Sequence, residues 1–234
     1  MAQRSWGKRT WYQFLHVTCR LVGVVAFRVR VSGREWVPKN GGALVLSNHQ
    51  SHLDPVLIGL AGDRRMNFLA RKTLFKFPPF RWLIDSLDAI PIDREKSSFG
   101  GLKETLRRLK HDELVLLFPE GTRTADGRIG ALKPGFCAIA RRAGVPLVPV
   151  AIDGAFAAFP RTRNYPLPAT IHIAFGEPLQ PSEIPQFETD DALVAEVRRR
   201  LEDCHEKTRR TRDAATNQRS DRTSETGNFE PDLR

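Results

Sequence analysis

Short apolar runs alternate along the chain with segments in which apolar and charged positions recur at helical spacing. The apolar runs that favour strands cover residues 27–31, 43–46, 66–70, 89–92, 113–118, 146–152 and 170–175. The helically spaced segments predict helices over residues 55–60, 80–87, 101–110, 134–143 and 190–204. Because continuously apolar strands alternate with helices, the pattern predicts an α/β fold with a largely parallel central sheet flanked by helices.

The two ends of the chain depart from this alternation. Residues 1–27 are basic and then apolar, and Arg20 interrupts an apolar segment that is too short to span a bilayer. Aromatic residues beside basic ones favour an amphipathic helix associated with the membrane surface, although a helix packed on the domain would show the same pattern. Residues 206–234 lose almost all apolar positions and are predicted to form a disordered polar tail. A single α/β domain is therefore expected over residues 28–205.

The charge of the chain indicates an anionic partner. Lysine and arginine outnumber the acids by 37 to 27, which gives a formal net charge of +10. Charge alone does not distinguish nucleic acid, a membrane surface and a phosphorylated substrate. The three scattered cysteines have neither disulfide-framework nor metal spacing, and they indicate a reducing compartment.

The placement of the basic residues favours a membrane surface. The first 40 residues contain eight lysines and arginines and one acid. Residues 64–81 add six basic residues and no acid, with Phe75, Phe77 and Phe80 among them. Basic residues attract anionic headgroups while aromatic rings settle at the interface, so this stretch predicts a second membrane contact. The same phenylalanines fit equally well in the core of the domain.

The first candidate for chemistry is the stretch SNHQSHLDP, which begins at Ser47 and follows the buried run 43–46. On a regular helix, His49 and Asp54 would lie about 140° apart and could not meet. They meet if the chain turns before Pro55, because a residue that precedes proline avoids helical dihedrals. A carboxylate bonded to one imidazole nitrogen leaves the other nitrogen as a base. These residues alone also fit a simple helix cap at Asp54 beside a polar loop.

The second candidate is FPEGTR, residues 118–123, directly after the predicted strand 113–118. The loops that follow parallel strands gather at the ligand-binding edge of an α/β sheet. Gly121 permits close approach of the backbone, Thr122 offers a hydroxyl and Arg123 offers a forked donor for phosphate. Glu120 can accept a hydrogen bond from a substrate hydroxyl. A capped turn with a surface salt bridge is the alternative.

Two weaker blocks, AIPIDR at residues 89–94 and VPVAI at residues 148–152, complete a series of four. In this order the blocks resemble those of the glycerolipid acyltransferases, specifically the bacterial 1-acylglycerol-3-phosphate acyltransferases, over residues 31–178. The resemblance implies an α/β domain with a helical N-terminal membrane anchor. It implies acyl transfer from acyl-carrier protein or acyl-CoA to the sn-2 hydroxyl of 1-acylglycerol-3-phosphate, which gives phosphatidic acid. No cofactor and no metal are implied beyond the acyl donor.

The resemblance also implies roles for individual residues. His49 matches the general base and Asp54 its orienting partner. The residues that match the acceptor-binding positions are Arg94, Glu120, Gly121, Thr122, Arg123 and Lys133, and Lys133 is followed by the matching Gly135. Pro149 matches the block that is thought to shape the acyl-donor side. The family's partners would be an anionic membrane, at its cytoplasmic face, and lysophosphatidic acid, with no nucleic acid.

One departure and several rival interpretations accompany this expectation. Asp88 stands where relatives often have glycine, so another lysolipid, such as lyso-ornithine lipid, is an alternative acceptor. A zinc site at His49 and His52 lacks further ligands and leaves FPEGTR unexplained. A serine hydrolase would need a Gly-x-Ser-x-Gly turn, which the sequence does not contain. A basic membrane- or nucleic-acid-binding module has no use for His49, Asp54 and Glu120.

Overall fold

The structure is a computed structural model, and it describes residues 27–71, 90–92 and 98–226. Several predictions fall outside these ranges. They are the interfacial helix before residue 27, the aromatic part of the second membrane contact, the helix over residues 80–87, the end of the polar tail, and the roles of Asp88 and Arg94.

The core of the fold is a seven-stranded sheet. Its strands in chain order are β1 (Arg30–Ser32), β2 (Ala43–Ser47), β3 (Met66–Arg71), β4 (Ile90–Ile92), β5 (Leu114–Leu117), β6 (Leu147–Asp153) and β7 (His172–Phe175). They lie side by side in the order β1-β7-β6-β2-β5-β3-β4. Neighbouring strands are parallel except for the antiparallel pair β6 and β7. The predicted, largely parallel α/β sheet is therefore confirmed.

Five α-helices connect and follow these strands in the described part of the chain. They are α1 (Asp54–Ala61), α2 (Ser98–Lys110), α3 (Gly135–Ala143), α4 (Ala155–Ala158) and α5 (Asp190–Thr226). Helix α1 has a proline in its first turn, where the missing N–H costs nothing. None of the described helices is both long enough and apolar enough to cross a membrane.

Strand β2 is buried on both faces, which accounts for its unbroken apolar sequence. All five of its residues are buried. Successive side chains point to opposite faces, so Ala43 and Val45 join one hydrophobic cluster while Leu44 and Leu46 join the other. Helix α1 covers the first face. The opposite face is covered by α2, α3 and α5.

Helix α5 corrects the sequence analysis at the C-terminal end. A disordered tail was expected from residue 206, but the helix continues to Thr226, so the expectation is wrong for residues 206–226. Two features that stabilise this segment are not evident from its polar composition. Thr208 is only 2% exposed and extends the buried stripe of α5. Arg212 reaches back to the sheet, where its Nη1 lies 2.8 Å from Oδ2 of the buried Asp153.

The topology brings three connecting segments to one edge of the sheet. Strand β2 is parallel to β5 on one side and to β6 on the other, so their carboxyl ends share an edge. The segments that leave this edge begin at Asn48, Phe118 and Gly154. The two main candidate motifs of the sequence are therefore neighbours in space.

The surroundings of His172 predict a loss of stability in acid. This side chain is 3% exposed, and burial lowers its pKa below the ordinary value of 6.5. Arg30 from β1 and Arg212 from α5 lower the pKa further, while Asp153 from β6 opposes them. A histidine whose pKa is lowered by folding takes up protons more readily when unfolded, so stability falls as the pH drops below about 6.5.

We expect His172→Gln to weaken this acid dependence, because glutamine does not titrate. Urea unfolding of the wild type and the variant between pH 8 and pH 5 measures the effect. The wild type should lose more free energy of unfolding than the variant below pH 6.5. Parallel stability curves for the two proteins would contradict the assignment.

Candidate active site

Asn48 anchors the segment that follows β2. Its Oδ1 accepts from the backbone N–H of Ile152 at 2.8 Å, and its Nδ2 donates to the carbonyl of Ile152 at 2.9 Å. The side-chain amide thus acts as one further peptide group in the ladder between β2 and β6. The main chain is free to turn away at this point while it stays attached to the sheet.

The main chain of His49 is held on both sides by the segment after β5. Its N–H donates to Oε1 of Glu120 at 2.8 Å, and its carbonyl accepts from the N–H of Thr124 at 2.8 Å. The imidazole stacks on the ring of Phe118, with centroids 4.1 Å apart and planes inclined by 21°. The position and the tilt of the ring are therefore set by neighbouring groups.

His49 and Asp54 form the pair that the sequence analysis considered. Nδ1 of His49 lies 2.8 Å from Oδ2 of Asp54. The histidine side chain is 18% exposed, whereas the aspartate side chain is fully buried. The chain turns between the two residues, and Asp54 begins helix α1. Because a carboxylate accepts hydrogen bonds, Nδ1 carries the hydrogen and Nε2 is left as the basic nitrogen.

Oδ2 of Asp54 also fixes the turn itself. It accepts from the N–H of Gln50 at 2.5 Å and from the N–H of Ser51 at 2.7 Å. Complete burial raises the pKa of the Asp54 carboxyl, and the hydrogen bonds from His49 and these two amides act in the opposite direction. A buried carboxylate at this distance holds the imidazole in one orientation and one tautomer.

Glu120 joins two loops. It is 4% exposed, and its Oε2 accepts from the N–H of Gly130 at 3.0 Å while its Oε1 accepts from His49. Burial raises the pKa of its carboxyl, and these two backbone hydrogen bonds oppose the shift. Both carboxylate oxygens therefore accept hydrogen bonds from backbone N–H groups, and Glu120 supports the loop that carries His49. The predicted contact with a substrate hydroxyl stays a prediction.

Gly121 and Lys133 lie against each other. Gly121 adopts φ 70°, a left-handed conformation that other residues rarely adopt. A Cβ at this position would lie 3.3 Å from Cδ, Cε and Nζ of Lys133. The glycine therefore lets the exposed lysine cross directly over the FPEGTR turn.

Arg123 and His52 complete the polar side of the site. Arg123 is half-buried, and Thr122 beside it is exposed. The ring of His52 lies 5.1 Å from that of Phe159. Partial burial lowers the pKa of His52, and the charges of Arg123 and His49 lower it further. The three basic side chains are therefore close enough to act on one another, which favours an anionic group among them.

Most predicted site residues meet at this edge of the sheet. The residues that the structure brings there are His49, Asp54, Glu120, Gly121, Thr122, Arg123 and Lys133. Pro149 instead lies buried within β6, opposite Leu46 of β2. Its predicted place on the acyl-donor side stays a prediction. Within the described ranges, no group of three His, Cys, Asp or Glu side chains is arranged to hold a metal ion.

Sequence reasoning missed the supporting role of Gln50 and Ser51. Gln50 is 1% exposed, and its Nε2 donates to the carbonyl of Gly127 at 2.7 Å. Its Oε1 accepts from the N–H of Phe156 at 3.2 Å. Ser51 Oγ donates to the carbonyl of Phe159 at 2.7 Å. The available signal was a run of small polar side chains directly after a buried strand, where each must find a partner.

Comparison with known proteins supports the resemblance of the four blocks. The Acyltransferase family model matches residues 28–153. The 1-acyl-sn-glycerol-3-phosphate acyltransferase of Bacillus subtilis is 25% identical over 185 residues, which cover 79% of this chain and 90% of that protein. The enzyme of the same name from Pseudomonas aeruginosa is 31% identical over 172 residues, with 72% and 65% covered. The chain spans less than half of two chloroplast relatives, from Arabidopsis thaliana and Brassica napus, at 42% and 44% of their lengths.

A solved structure is similar over most of its length. The crystal structure of the 1-acyl-sn-glycerophosphate acyltransferase from Thermotoga maritima superposes with a TM-score of 0.72 and 27% identity. The match covers 87% of this chain and 82% of that one.

Glu120→Gln should destabilise the site, because an amide offers one acceptor oxygen where the carboxylate offers two. Either His49 N–H or Gly130 N–H would then face a donor group. We expect a loss of about 1–3 kcal/mol in the free energy of unfolding, measured with urea. Glu188→Gln, at an exposed position, is the control and should leave stability within about 0.5 kcal/mol. Equal stability of the two variants would show that the two backbone bonds contribute little.

Proposed function

Because this chain belongs to the acyltransferase family, we propose that it transfers a fatty acyl group to the sn-2 hydroxyl of 1-acylglycerol-3-phosphate. The donor is a thioester, acyl-CoA or acyl-carrier protein, and the product is phosphatidic acid. The observation that carries the proposal is the 2.8 Å contact between His49 and the buried Asp54 at the ligand-binding edge of the sheet. The names of the relatives supply the acceptor.

The proposed reaction begins with proton transfer to Nε2 of His49. As the acceptor hydroxyl loses this proton, its oxygen attacks the thioester carbonyl carbon and forms a tetrahedral intermediate. When the intermediate collapses, the carbon–sulfur bond breaks and the leaving thiolate takes the proton back from Nε2. Asp54 stabilises the intervening imidazolium and keeps the ring oriented. Atoms and charges balance without a cofactor.

The acceptor phosphate is proposed to bind beside the histidine. Arg123 provides a forked donor that matches phosphate oxygens, and Lys133 adds a point charge across Gly121. Arg94 would join them by the family resemblance. With the phosphate held there, the free hydroxyl of the glycerol unit lies on the side of His49, which is the orientation that proton removal requires.

The lipid acceptor suggests a place for the protein at a membrane. We propose peripheral or monotopic association with the anionic cytoplasmic face of the cell membrane. The support is the excess of basic residues before residue 40 and in residues 64–81, together with aromatic residues in both stretches.

His49→Ala should abolish most turnover and spare the fold. General-base catalysis contributes about 10²- to 10⁴-fold, so kcat should fall by that factor while the KM for the acceptor changes little. The measurement is transfer from labelled acyl-CoA and acyl-carrier protein to 1-acylglycerol-3-phosphate. His111→Ala, at an exposed histidine beyond α2, is the control and should keep wild-type kcat. Near-normal turnover by a folded His49→Ala protein would refute the mechanism.

Arg123→Ala should act mainly on acceptor binding. Loss of the guanidinium removes charge-assisted hydrogen bonds to phosphate, so the KM for 1-acylglycerol-3-phosphate should rise more than kcat falls. Melting curves recorded beside the kinetics separate this effect from unfolding. An unchanged acceptor KM would place the phosphate elsewhere. If the wild type ignores this acceptor but acylates another lysolipid, the acceptor assignment fails and Asp88 is the first residue to exchange.

A further inference from the structure

A groove of about 430 Å³ lies between α2 and α3, away from the catalytic pair. Its lining consists of Leu102, Lys103, Leu106, Arg107, Lys110 and Arg142. The two leucines are half-buried and pack against the hydrophobic core, whereas the four basic residues are exposed. We call this feature the α2 groove. It has an apolar floor and a cationic rim.

The rim of the α2 groove carries charge of one sign. Lys103, Arg107 and Lys110 are spaced by four and three residues, so they lie along one face of the helix. Glu104 on the neighbouring face binds Arg107, with contacts of 2.7 and 2.8 Å. Subtracting that one acid from the four cations leaves a rim charge of +3. Within the part of the chain that the structure describes, no acidic side chain lines the groove.

A second groove of the described surface is a poorer anion site. It measures about 550 Å³ and lies between α5 and residues 128–129. Its four arginines are interleaved with Glu202, Glu206 and Asp213. Arg198 is already bound to Glu202 at 2.8 Å, and Arg210 is bound to Glu206. An incoming anion would have to displace these carboxylates, which the α2 groove does not require.

The spacing of the cations indicates the shape of the partner. With a rise of about 1.5 Å per residue, Lys103 and Lys110 lie about 10 Å apart along the helix axis. A single phosphate group cannot contact both. A helix with carboxylates three or four residues apart matches the rim along its length, and an apolar side chain between them fits the floor. A bilayer surface fits a concave groove less well.

We infer that the α2 groove docks an acidic helix of the acyl-carrier protein that delivers the acyl thioester. This inference rests on the proposed acyl transfer and names its donor. Helix α2 begins at Ser98, soon after β4 ends at the edge of the sheet where His49 lies. The helix then runs away from that edge, and Leu109 near its end lies beside Gly42, which precedes β2. A carrier bound in the α2 groove therefore lies along the side of the sheet, and its acyl group, held on a long flexible arm, has to extend past Ser98 to reach the catalytic histidine.

Charge reversal of the rim tests the inference. The test protein is the double variant Lys103→Glu with Lys110→Glu. The control is Lys207→Glu with Arg209→Glu, which makes the same charge change at exposed positions of α5, outside the α2 groove. Initial rates are measured with acyl-carrier protein and with acyl-CoA as donors. Binding of holo-carrier protein is measured directly by calorimetry.

We expect the KM for acyl-carrier protein to rise about tenfold or more in the rim variant, since reversing docking charges weakens complementary association. Its KM for acyl-CoA and its kcat should stay within about twofold of the control. An unchanged KM for acyl-carrier protein overturns the inference. An equal rise for both donors also overturns it, because the effect then has no connection with the carrier. Loss of binding to anionic vesicles without a change in either KM would make the groove a membrane contact instead.

Failure of the proposed function has a different signature. If the wild type transfers an acyl group from neither donor, the activity is wrong, but calorimetry still tests docking. Carrier binding that the rim variant loses and the control keeps supports the surface by itself. Carrier binding that is equal in all three proteins, or absent from the wild type, overturns the docking site.

Discussion

The structure depends on the hydrogen-bond ladder of β2, which is shared with a parallel strand on each side. This ladder sets β5 and β6 in register with β2, so their carboxyl ends stop at one edge. Asn48 prolongs the ladder by one side-chain amide before the chain turns. The contacts of His49 with Glu120 and Thr124 depend on that alignment. A slip of one residue in β2 would move each side chain to the opposite face and remove His49 from its partners.

The two buried carboxylates of the candidate site, Asp54 and Glu120, accept most of their hydrogen bonds from backbone N–H groups. Asp54 fixes the turn after His49 through two amides, and Glu120 ties that turn to the loop at Gly130. Burial of these acids costs free energy, and each hydrogen bond offsets part of the cost. As a result, the main chain and the ring of His49 are both held in place before any substrate binds. Such preorganisation is what proton transfer in an active site requires.

Sequence patterns predicted the strands of the sheet and the meeting of His49 with Asp54. These features depend on local signals: apolar runs long enough to be buried on both faces, and a proline that marks the start of a helix close behind His49. The roles of Glu120 and Gln50 could not be predicted, because three of their four backbone partners lie 71 to 106 residues away. The length of α5 was missed for a related reason. Arg212 in its polar half forms an ion pair with Asp153 of the sheet, and this contact cannot be inferred from composition.

Strand order has a consequence for how the chain acquires its shape during synthesis. Strand β1 pairs with β7, whose residues lie 142 positions later, as in the pair Arg30 and His172. Strand β2 likewise pairs with strands that are synthesised much later, β5 and β6. Contacts so distant in sequence form slowly, because the entropy cost of closing a long loop comes before the stabilising strand contacts can form. A nascent chain therefore carries its central strand and its catalytic histidine unpaired until much of the protein has left the ribosome. During that interval the apolar run of β2 is exposed and prone to aggregation.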